Sequence, residues 1–490
     1  MKMLKSILAA AVLAAGTACG AIRATTPAPW NGDPNCGQMK RHAAKMQLVK
    51  NGGAKVVFIG DSITQYWESR GKAQLDKYFS SGDWKMLNLG TSGDRTEHVL
   101  WRIANGELDG YEAKCIVVMI GTNNSGHFPF AKEPPVDTIL GIRKILAAVR
   151  AKQPRAKIVL NAIFPRGANE NDQCRRRNDV VNREIRRFCD GKNIFWCDFS
   201  ERLVDAKGDT KPFMPDRLHP NGKGYEIWAE EVKPYIEYAL SGGKKPAPKN
   251  RFSKLPTAGE MEGEGALSTV RPATRIGQGL AGRGAWWLDR LEEKRRQISD
   301  SKGEIDLVFF GDSITHNWES LGKAQFAKLR KTYSILDIGY GGDRTEHLVW
   351  RGLNGELDGY KAKCVMLMIG TNNCGREKNP DRPEDVVKGV RRILDVIAAK
   401  QPQAKVLLLP VFVRGDSPKH PGRMRNEQVN ARIKEFADGE KVVWVDFNAK
   451  FLDGAGDTKW IMPDRLHPHA AGYEVWTEAV LPWFKRFCGK

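Results

Sequence analysis

The sequence predicts two α/β domains in tandem, each built on a doubly wound parallel sheet. Two observations lead to this prediction: short apolar runs alternate with segments of helical periodicity, and the same polar motifs occur in both halves of the chain in the same order. A chain that alternates strands and helices forms right-handed crossovers and covers both faces of its sheet with helices. A length of 490 residues suits two such domains of about 205 residues each.

Four near-continuous apolar runs in the first half are predicted strands. They read KVVFI, CIVVMI, KIVLNAIF and NIFWCDF, at residues 55–59, 115–120, 157–164 and 193–199. Runs without alternation suit strands that are buried on both faces. Apolar residues at three- and four-residue spacing predict a helix over about 136–149, and the second half repeats that pattern over 386–397.

Four polar motifs accompany these elements and occur twice. The first half reads GDSIT, TSGDRTEH, IGTNN and MPDRLHP, and the second half differs only in YGGDRTEH. The step from the motif serine to the motif glycine is 31 residues in the first half and 29 in the second, and the step from glycine to asparagine is 30 in both. This spacing indicates a tandem duplication. Ser62 and Asn123 fall at the carboxyl ends of predicted strands, where such sheets bind ligands.

Each motif set contains the three residue types of a nucleophilic triad. A serine hydroxyl is a weak nucleophile, so it needs a base within hydrogen-bond reach and a third group that orients the base. The candidates are Ser62, His219 and Asp216 in the first half, and Ser313, His467 and Asp464 in the second. Each aspartate precedes its histidine by three residues, so one turn of chain could direct both side chains toward the serine.

These motifs resemble the four sequence blocks of the SGNH, or GDSL, esterase family. The stretches NLGTSGDRTEHVLWRIANGELDGY and DIGYGGDRTEHLVWRGLNGELDGY, each followed by GTNN, further resemble platelet-activating-factor acetylhydrolase catalytic subunits and their bacterial relatives. The resemblance covers about residues 36–240 and 284–490. It implies two flavodoxin-like three-layer α/β/α domains. It also implies that each oxyanion hole combines the serine N–H with Gly93 and Asn123, or with Gly342 and Asn372.

Substrate contacts are predicted where the two copies differ or carry aromatic residues. Trp67 and Trp318 each follow the motif serine by five residues and could line an acyl pocket or pack in the core. After GTNN the first copy reads SGHFPF and the second CGREKN, which offer Phe128 and Arg376. Loops at the strand ends carry substrate contacts in this architecture. We therefore expect related chemistry on different substrates, or at different positions of one substrate.

The chain begins with a predicted secretory signal peptide, assigned to residues 1–24. Two lysines precede an apolar run at 7–15. This run is too short to span a bilayer, since a transmembrane helix needs roughly 20 residues. Cleavage after Ala21 or Ala24 would release a protein exported to the periplasm or the exterior, and lipid attachment at Cys19 is an alternative. The domains are predicted at 36–240 and 283–490, joined by a flexible linker at 241–282, and they could move independently or pair.

The charge, the motifs and the cysteine content of the chain limit the classes of molecule that it is expected to bind. The formal net charge of +20 would attract anionic molecules such as acidic glycans, or would serve solubility alone. We predict no nucleic-acid partner, because the charge is spread along the chain without a zinc-finger spacing or an aromatic RNA-binding motif. No transmembrane span, metal site or cofactor is predicted either. The cysteines are too few for a disulfide scaffold, although Cys174, Cys189 and Cys197 leave one local disulfide open.

The function expected from these features is an exported serine ester hydrolase with two catalytic domains. Its substrate would be an acylated small molecule or a glycan ester, from which it removes acetyl or other short acyl groups through an acyl-enzyme. The alternative within the same chemistry is a phospholipid, lysophospholipid or platelet-activating-factor-like acylhydrolase. A third hypothesis is a binding protein on a hydrolase fold that has lost catalysis. That hypothesis predicts erosion of a nucleophile or base, which neither copy shows.

Overall fold

Each half of the chain forms one five-stranded sheet in which every strand pair is parallel. The computed structural model describes residues 22–30, 33–80, 84–126, 132–246, 269–277, 279–282, 284–375 and 379–490. Helices cover both faces of both sheets, and apolar side chains fill the space between the layers. The predicted tandem of α/β domains is therefore confirmed.

The first domain alternates strands and helices as the sequence predicts. Its elements are α1 (Gly37–Lys50), β1 (Val56–Gly60), α2 (Ser62–Gln65), α3 (Lys72–Phe79), β2 (Met86–Asn88), α4 (Thr96–Ala104), β3 (Cys115–Met119), α5 (Thr122–Ser125), α6 (Pro135–Lys152), β4 (Lys157–Asn161), α7 (Gln173–Ile185), β5 (Ile194–Cys197) and α8 (Gly222–Ser241). Short 3₁₀ turns lie at Arg23–Thr25, Tyr66–Glu68, Arg186–Phe188 and Ser200–Leu203.

The second domain repeats this order. Its elements are α9 (Ala285–Asp300), β6 (Leu307–Gly311), α10 (Ser313–His316), α11 (Lys323–Arg330), β7 (Ile335–Gly339), α12 (Thr345–Arg351), β8 (Cys364–Met368), α13 (Thr371–Cys374), α14 (Pro383–Lys400), β9 (Lys405–Leu408), α15 (Pro421–Ile433), β10 (Val442–Trp444) and α16 (Ala470–Cys488). Its 3₁₀ turns are Asn317–Glu319, Lys434–Phe436 and Asn448–Phe451, and Gly352–Glu356 forms a π-turn after α12.

The strand order of each sheet creates a crevice beyond the carboxyl ends of two neighbouring strands, β1 and β3 in the first sheet and β6 and β8 in the second. The orders are β2-β1-β3-β4-β5 and β7-β6-β8-β9-β10, so the chain winds outward in opposite directions from β1 and from β6. Ligands bind at such a switch point, beyond the carboxyl ends of the strands. Ser62 follows β1 and Asn123 follows the neighbouring β3, so the fold brings both residues to this point.

The two domains pack against each other through α6, α9 and the π-turn. Arg295 of α9 forms a buried bidentate ion pair with Asp137 of α6, with both N to O distances at 2.9 Å. Gly355 of the π-turn lies so close to the first domain that an added Cβ would be 2.9 Å from side-chain carbons of Pro134 and Val136. One apolar cluster therefore extends continuously from the first domain into the second.

Parts of the predicted leader and linker are packed against the domains. Ile22, Ala24 and Thr25 are buried, and the Thr96 hydroxyl donates to the Ala24 carbonyl oxygen at 2.8 Å. Residues 1–21 lie outside the described residues, as do 247–268 and position 278 of the linker. The linker residues 269–277 contact both domains, and Ile276 belongs to the shared apolar cluster.

The eight cysteines of the described ranges are all free thiols, including Cys174, Cys189 and Cys197. Cys115 and Cys364 begin the matching strands β3 and β8, where they have no exposed surface. Among the helices that the structure describes, none combines the length and apolarity needed to cross a membrane.

Candidate active sites

The turn between β1 and α2 holds Ser62 at the carboxyl edge of the first sheet. Asp61 caps the helix by accepting a hydrogen bond from the Ile63 N–H at 3.0 Å. Gly60 has no room for a side chain, because an added Cβ would collide with Thr64 and with the Met119 carbonyl. Asp312, Ile314 and Gly311 repeat this geometry around Ser313. Both aspartates therefore brace the serine turn.

His219 and Asp216 approach Ser62 from the turn that precedes α8. The Ser62 Oγ lies 2.9 Å from His219 Nε2, and His219 Nδ1 lies 2.9 Å from Asp216 Oδ2. The other carboxylate oxygen, Oδ1, accepts the His219 N–H at 2.7 Å and the Leu218 N–H at 3.1 Å. Arg217 adopts a positive φ of 57°, which turns the chain tightly enough for the aspartate to reach its own histidine.

Hydrogen bonding keeps the Asp216 carboxylate ionised. Partial burial favours the neutral acid, but the His219 N–H and ring outweigh it and lower the pKa of Asp216 to about 2. An ionised carboxylate holds the histidine tautomer that leaves Nε2 free to accept a proton from the serine. The sequence spacing thus brings the candidate nucleophile, base and orienting group together in hydrogen-bonded order.

The second copy has the same geometry. Ser313 Oγ lies 2.9 Å from His467 Nε2, and His467 Nδ1 lies 2.6 Å from Asp464 Oδ2. The backbone N–H of His467 donates to Asp464 Oδ1 at 2.7 Å, and Arg465 again has a φ of 57°. Partial burial opposes ionisation of Asp464, yet the bonds from His467 lower its pKa. Both triads are complete and aligned.

The candidate oxyanion donors lie beside each serine turn. Gly93 and Gly342 adopt positive φ values of 78° and 71°, which glycine accommodates without strain. Asn123 Nδ2 donates to the Asp94 carbonyl oxygen at 2.7 Å, and Asn372 Nδ2 donates to the Asp343 carbonyl oxygen at 2.8 Å. An amide nitrogen carries two hydrogens. One fixes the orientation of each asparagine, and the second remains for a substrate oxygen.

A buried ionic network supports each glycine turn, and sequence reasoning missed it. Asp94 accepts hydrogen bonds from Trp30 Nε1 at 2.7 Å and from Arg102 Nε at 2.8 Å, and Arg102 also pairs with Glu107. Burial raises the pKa of Asp94 to about 6, although Arg102 opposes the shift. The signal was available, since WR and NGE recur at matching positions in both copies.

The second copy builds the same network with different outer members. Asp343 accepts hydrogen bonds from Trp287 Nε1 and Arg351 Nε, both at 3.0 Å, and Arg351 pairs with Glu356. The Tyr340 hydroxyl donates to Glu356, whereas the matching Glu107 of the first domain contacts His42 Nδ1 at 2.8 Å. The ionic centre of the network is therefore constant, and its periphery differs between the copies.

Of the four predicted substrate-contact residues, the two that the structure describes do not line the sites. Trp67 and Trp318 have no exposed surface. Each ring packs among aromatic side chains of its own core, as Trp67 does against Tyr225 and Trp228. The structure therefore gives both tryptophans a packing role and no surface that a substrate could reach. Phe128 and Arg376 lie outside the described residues.

Two residues outside the triad contact its members at the first site. Tyr66 places its ring 5.1 Å from the His219 ring, and Arg70 lies over Tyr66 with Cζ 4.9 Å from the ring centre. Arg70 Nη1 also contacts Asp216 Oδ2 at 3.3 Å. Asn317 and Leu321 occupy the matching positions of the second copy. Within the described ranges, no group of three or more histidine, cysteine or carboxylate residues has metal-binding geometry.

Comparison with known proteins assigns the chain to a family. The sequence profile of the GDSL-like lipase/acylhydrolase family matches residues 58–227 and 309–475. Among curated proteins, platelet-activating factor acetylhydrolase IB subunit alpha1 of Homo sapiens is 33% identical over 202 residues, which cover 40% of this chain and 81% of that protein. The alpha2 subunit of Bos taurus is 34% identical over 189 residues, covering 37% and 78%.

Among solved structures, an acetylxylan esterase from Geobacillus stearothermophilus aligns with 22% identity and a TM-score of 0.31 over 38% of this chain and 94% of that one. The family profile covers more than half of the chain and matches each domain separately. This protein, a carboxylic ester hydrolase with two matched domains, therefore belongs to the GDSL-like lipase/acylhydrolase family.

Proposed function

We propose that this chain is an exported esterase with two working sites that removes acetyl or other short acyl groups from carbohydrate esters. The observation that carries the proposal is the aligned Ser, His and Asp triad in each domain, with an Oγ to Nε2 distance of 2.9 Å in both. A binding protein that had lost catalysis would have no need to retain both triads in hydrogen-bonded order.

Acylation would begin at the serine hydroxyl. His219 Nε2 takes the proton from Ser62 Oγ while Oγ attacks the ester carbonyl carbon, and the carbonyl oxygen becomes an oxyanion. The N–H groups of Ser62 and Gly93 and the second Asn123 N–H would stabilise that oxyanion. When the tetrahedral intermediate collapses, the bond to the alcohol oxygen breaks. The alcohol leaves with the proton from His219, and the acyl group stays on Ser62.

Deacylation reverses the same proton transfers. His219 Nε2 takes a proton from water, and the resulting hydroxide attacks the acyl carbon of the Ser62 ester. Collapse of the second tetrahedral intermediate returns the proton to Ser62 Oγ and releases the carboxylic acid. Asp216 stays ionised throughout, because its pKa is lowered to about 2, and it stabilises the imidazolium in both steps. Ser313, His467 and Asp464 would act in the same way.

Two features support an exported enzyme that acts on glycans. The predicted leader ends close to Ile22, and the burial of Ile22 and Ala24 favours cleavage after Ala21, since cleavage after Ala24 would remove buried residues. The net charge of +20 would concentrate anionic glycans near the sites. A short acyl group is proposed because both motif tryptophans pack in the cores and line no acyl pocket.

A second candidate function is acyl hydrolysis of a phospholipid or of a platelet-activating-factor-like lipid. The specific observation in its favour is the 33% identity to platelet-activating factor acetylhydrolase IB subunit alpha1, over 81% of that protein. Both candidates use the same triads and differ in the alcohol that leaves. Only a comparison of substrates can separate them.

The test measures acyl release by the full chain from acetylated oligosaccharides, lysophospholipid, a 2-acetyl ether phospholipid and nitrophenyl esters of increasing acyl length. Ser62→Ala, Ser313→Ala and the double variant are assayed beside the unmodified chain. We expect acetate release from the oligosaccharides that each single variant loses in part. The double variant should lose at least about 10³-fold, because the nucleophile is absent from both sites.

Preferential hydrolysis of the lipids would replace the carbohydrate proposal with the second candidate. Activity that survives in the double variant, with melting temperatures unchanged, would exclude Ser62 and Ser313 as the nucleophiles.

A further inference from the structure

The segment between the domains touches the second active site, and the first domain holds it there. Thr274 donates from Oγ1 to Glu184 Oε2 of α7 at 2.6 Å. The Gly279 N–H donates to the Arg187 carbonyl oxygen at 2.7 Å, and Arg187 Nη1 contacts the Ile276 carbonyl oxygen at 3.4 Å. Three contacts therefore fix residues on either side of Arg275 to the first domain.

The second domain holds the same segment from the opposite side. The Ala273 N–H donates to the Glu346 carbonyl oxygen at 3.2 Å, and Thr269 Oγ1 donates to the Asp385 carbonyl oxygen at 2.8 Å. The segment thus has a defined path between the domains. Arg275 is the residue whose side chain this path directs onto the glycine turn of the second site.

Arg275 lies directly on Gly342, the candidate oxyanion glycine. A Cβ added to Gly342 would be 2.6 Å from Arg275 Nη1 and 3.2 Å from Cζ. Nη1 donates a hydrogen bond to the carbonyl oxygen of Gly341, one residue earlier. The guanidinium also lies over the exposed Trp286 ring, with Cζ 5.3 Å from the ring centre. These contacts restrict the side chain, so little rotamer entropy is left to lose when a ligand binds.

The charge of Arg275 is only partly compensated. Asp343 Oδ1 is 3.9 Å from Nη1, but Asp343 already accepts hydrogen bonds from Trp287 and Arg351. About 31% of the Arg275 side chain is exposed. Among the described residues, Arg275 donates one hydrogen bond, to the Gly341 carbonyl oxygen, and this uses one of the five N–H groups of its guanidinium. The planar fork of a guanidinium matches a carboxylate, phosphate or sulfate.

The first site has an uncharged contact at the matching place. Ser92 precedes Gly93 as Gly341 precedes Gly342, and the Ser92 carbonyl oxygen accepts from Gln38 Nε2 at 3.2 Å. Gln38 lies on α1, the counterpart of α9. A neutral amide from a helix in the first domain is therefore replaced in the second by a guanidinium from the interdomain segment.

We propose that Arg275 is a specificity-determining residue of the second site. It binds an anionic group, a carboxylate, phosphate or sulfate carried by the substrate close to the scissile ester, and the first domain positions it for this task. The inference rests on the proposed function, since it takes Ser313 as the nucleophile. Under this proposal the two sites catalyse the same reaction, but the second site prefers substrates that carry a negative charge.

The test uses the full chain with Ser62→Ala, so that only the second site turns over. Its probes are 4-acetoxybenzoate, 4-acetoxybenzenesulfonate and 4-acetoxyphenyl phosphate, with neutral 4-acetoxybenzamide as the reference. Arg275→Gln should lower kcat/KM for the anionic esters by about tenfold, the loss typical of one charge-assisted hydrogen bond at a partly exposed site. It should lower kcat/KM for the neutral ester by a clearly smaller factor, which reports the lost bond to the Gly341 carbonyl oxygen. Whichever anionic ester loses most identifies the preferred group.

Two further measurements separate charge recognition from structural damage. Arg275→Lys should retain part of the anionic preference. Raising the salt from about 20 mM to about 0.5 M should weaken that preference in the parent protein. In a Ser313→Ala chain, where only the first site works, Arg275→Gln should change neither ester class.

Thr274→Val tests the contribution of the first domain. It removes the hydroxyl that bonds Glu184 and should lower the ratio of anionic to neutral turnover by a smaller factor than Arg275→Gln does. A ratio that stays at the parent value would show that the first domain does not position Arg275.

Equal changes for anionic and neutral esters in Arg275→Gln, or no change in either, would overturn the specificity role. A gain for both classes would overturn it as well, and would mark Arg275 as a residue that obstructs the site. Failure of the proposed function has a different signature, because activity would then survive when Ser62→Ala and Ser313→Ala are combined.

Discussion

The two candidate sites share the geometry of their triads and differ in the charges around them. Both place the serine Oγ 2.9 Å from a histidine Nε2, and both orient an asparagine amide on a backbone carbonyl. Around the first triad lie Tyr66 and Arg70, and around the second lies Arg275. The two copies therefore keep the residues that are proposed to make and break bonds and differ in the residues that surround them.

The supporting residues follow the same division. The Asp, Arg and Glu of each buried network are identical, because they hold the glycine turn from within the protein, where an unpaired charge would be costly. The outer partner of the glutamate is His42 in the first domain and Tyr340 in the second. The activity of each site can be measured separately in a chain whose other candidate nucleophile is replaced by alanine.

The largest expected effect lies on the asparagines that the two sites share. Asn123→Ala should lower kcat of the first site by about 10²–10³-fold, and Asn372→Ala should do the same in the second, since each removes one oxyanion donor. The first is measured in a Ser313→Ala chain and the second in a Ser62→Ala chain. Melting temperatures provide the control for folding. Losses below about tenfold would show that the amide does not contact the oxyanion. Unequal losses would show that the asparagine amide stabilises the oxyanion in one site more than in the other, despite the shared geometry.

An intermediate effect is expected on the stability of the folded protein, at a position where one domain has an asparagine and the other an aspartate. Asn88 of β2 donates from Nδ2 to the Thr64 carbonyl oxygen at 3.0 Å, whereas the matching residue in β7 is Asp337. Among the described residues no donor reaches Asp337 Oδ2 within hydrogen-bond distance. Burial, with the nearby Glu319 charge, raises the pKa of Asp337 to about 7. The folded protein therefore holds a proton that the unfolded chain loses near its ordinary pKa of 3.8.

The sign of the pH dependence follows from that difference. Between pH 3.8 and about 7 the folded state binds more protons than the unfolded state, so the Asp337 contribution makes the free energy of unfolding fall as pH rises. Asp337→Asn should raise the melting temperature by several degrees above pH 7, and the gain should vanish below about pH 4. Asn88→Asp should impose the opposite behaviour on the first domain. A melting temperature that Asp337→Asn lowers at pH 8 would contradict this account.

The sequence predicted the strands because their signals are local, and it predicted the candidate triads because their motifs recur in both halves, although each serine and its histidine lie 157 or 154 residues apart. The runs at 55–59, 115–120, 157–164 and 193–199 coincide with β1, β3, β4 and β5, since strands buried on both faces need continuous apolar residues. It missed β2, whose three residues are too few to form a pattern. The Asp to His spacing of three residues anticipated the turn at Arg217, since only one tight turn connects them.

The contacts between the domains could not be predicted, because no local pattern encodes them. Asp137 reads as an acidic residue in the first turn of a helix, yet its partner Arg295 lies 158 residues later. Arg275 stands in a segment without apolar periodicity that predicts a flexible linker, and its contact at Gly341 is 66 residues away. For Trp67 the sequence left a pocket wall and the core as alternatives, and the 3₁₀ turn at Tyr66–Glu68 directs its ring into the core.

The smallest expected effect concerns Arg70, which the second site lacks. Arg70 contacts the same Asp216 oxygen as His219 does, so it competes for the carboxylate and repels the imidazolium that forms during acylation. Both Arg70 and Asp216 are about 43% exposed, which limits the interaction through solvent screening. Arg70→Leu should therefore raise kcat of the first site on a neutral ester by only about twofold to threefold. Leu321→Arg should lower kcat of the second site by a similar factor. If Arg70→Leu lowers activity and Leu321→Arg does not, Arg70 helps to hold the triad, and the difference between the sites lies in triad support as well as in substrate charge.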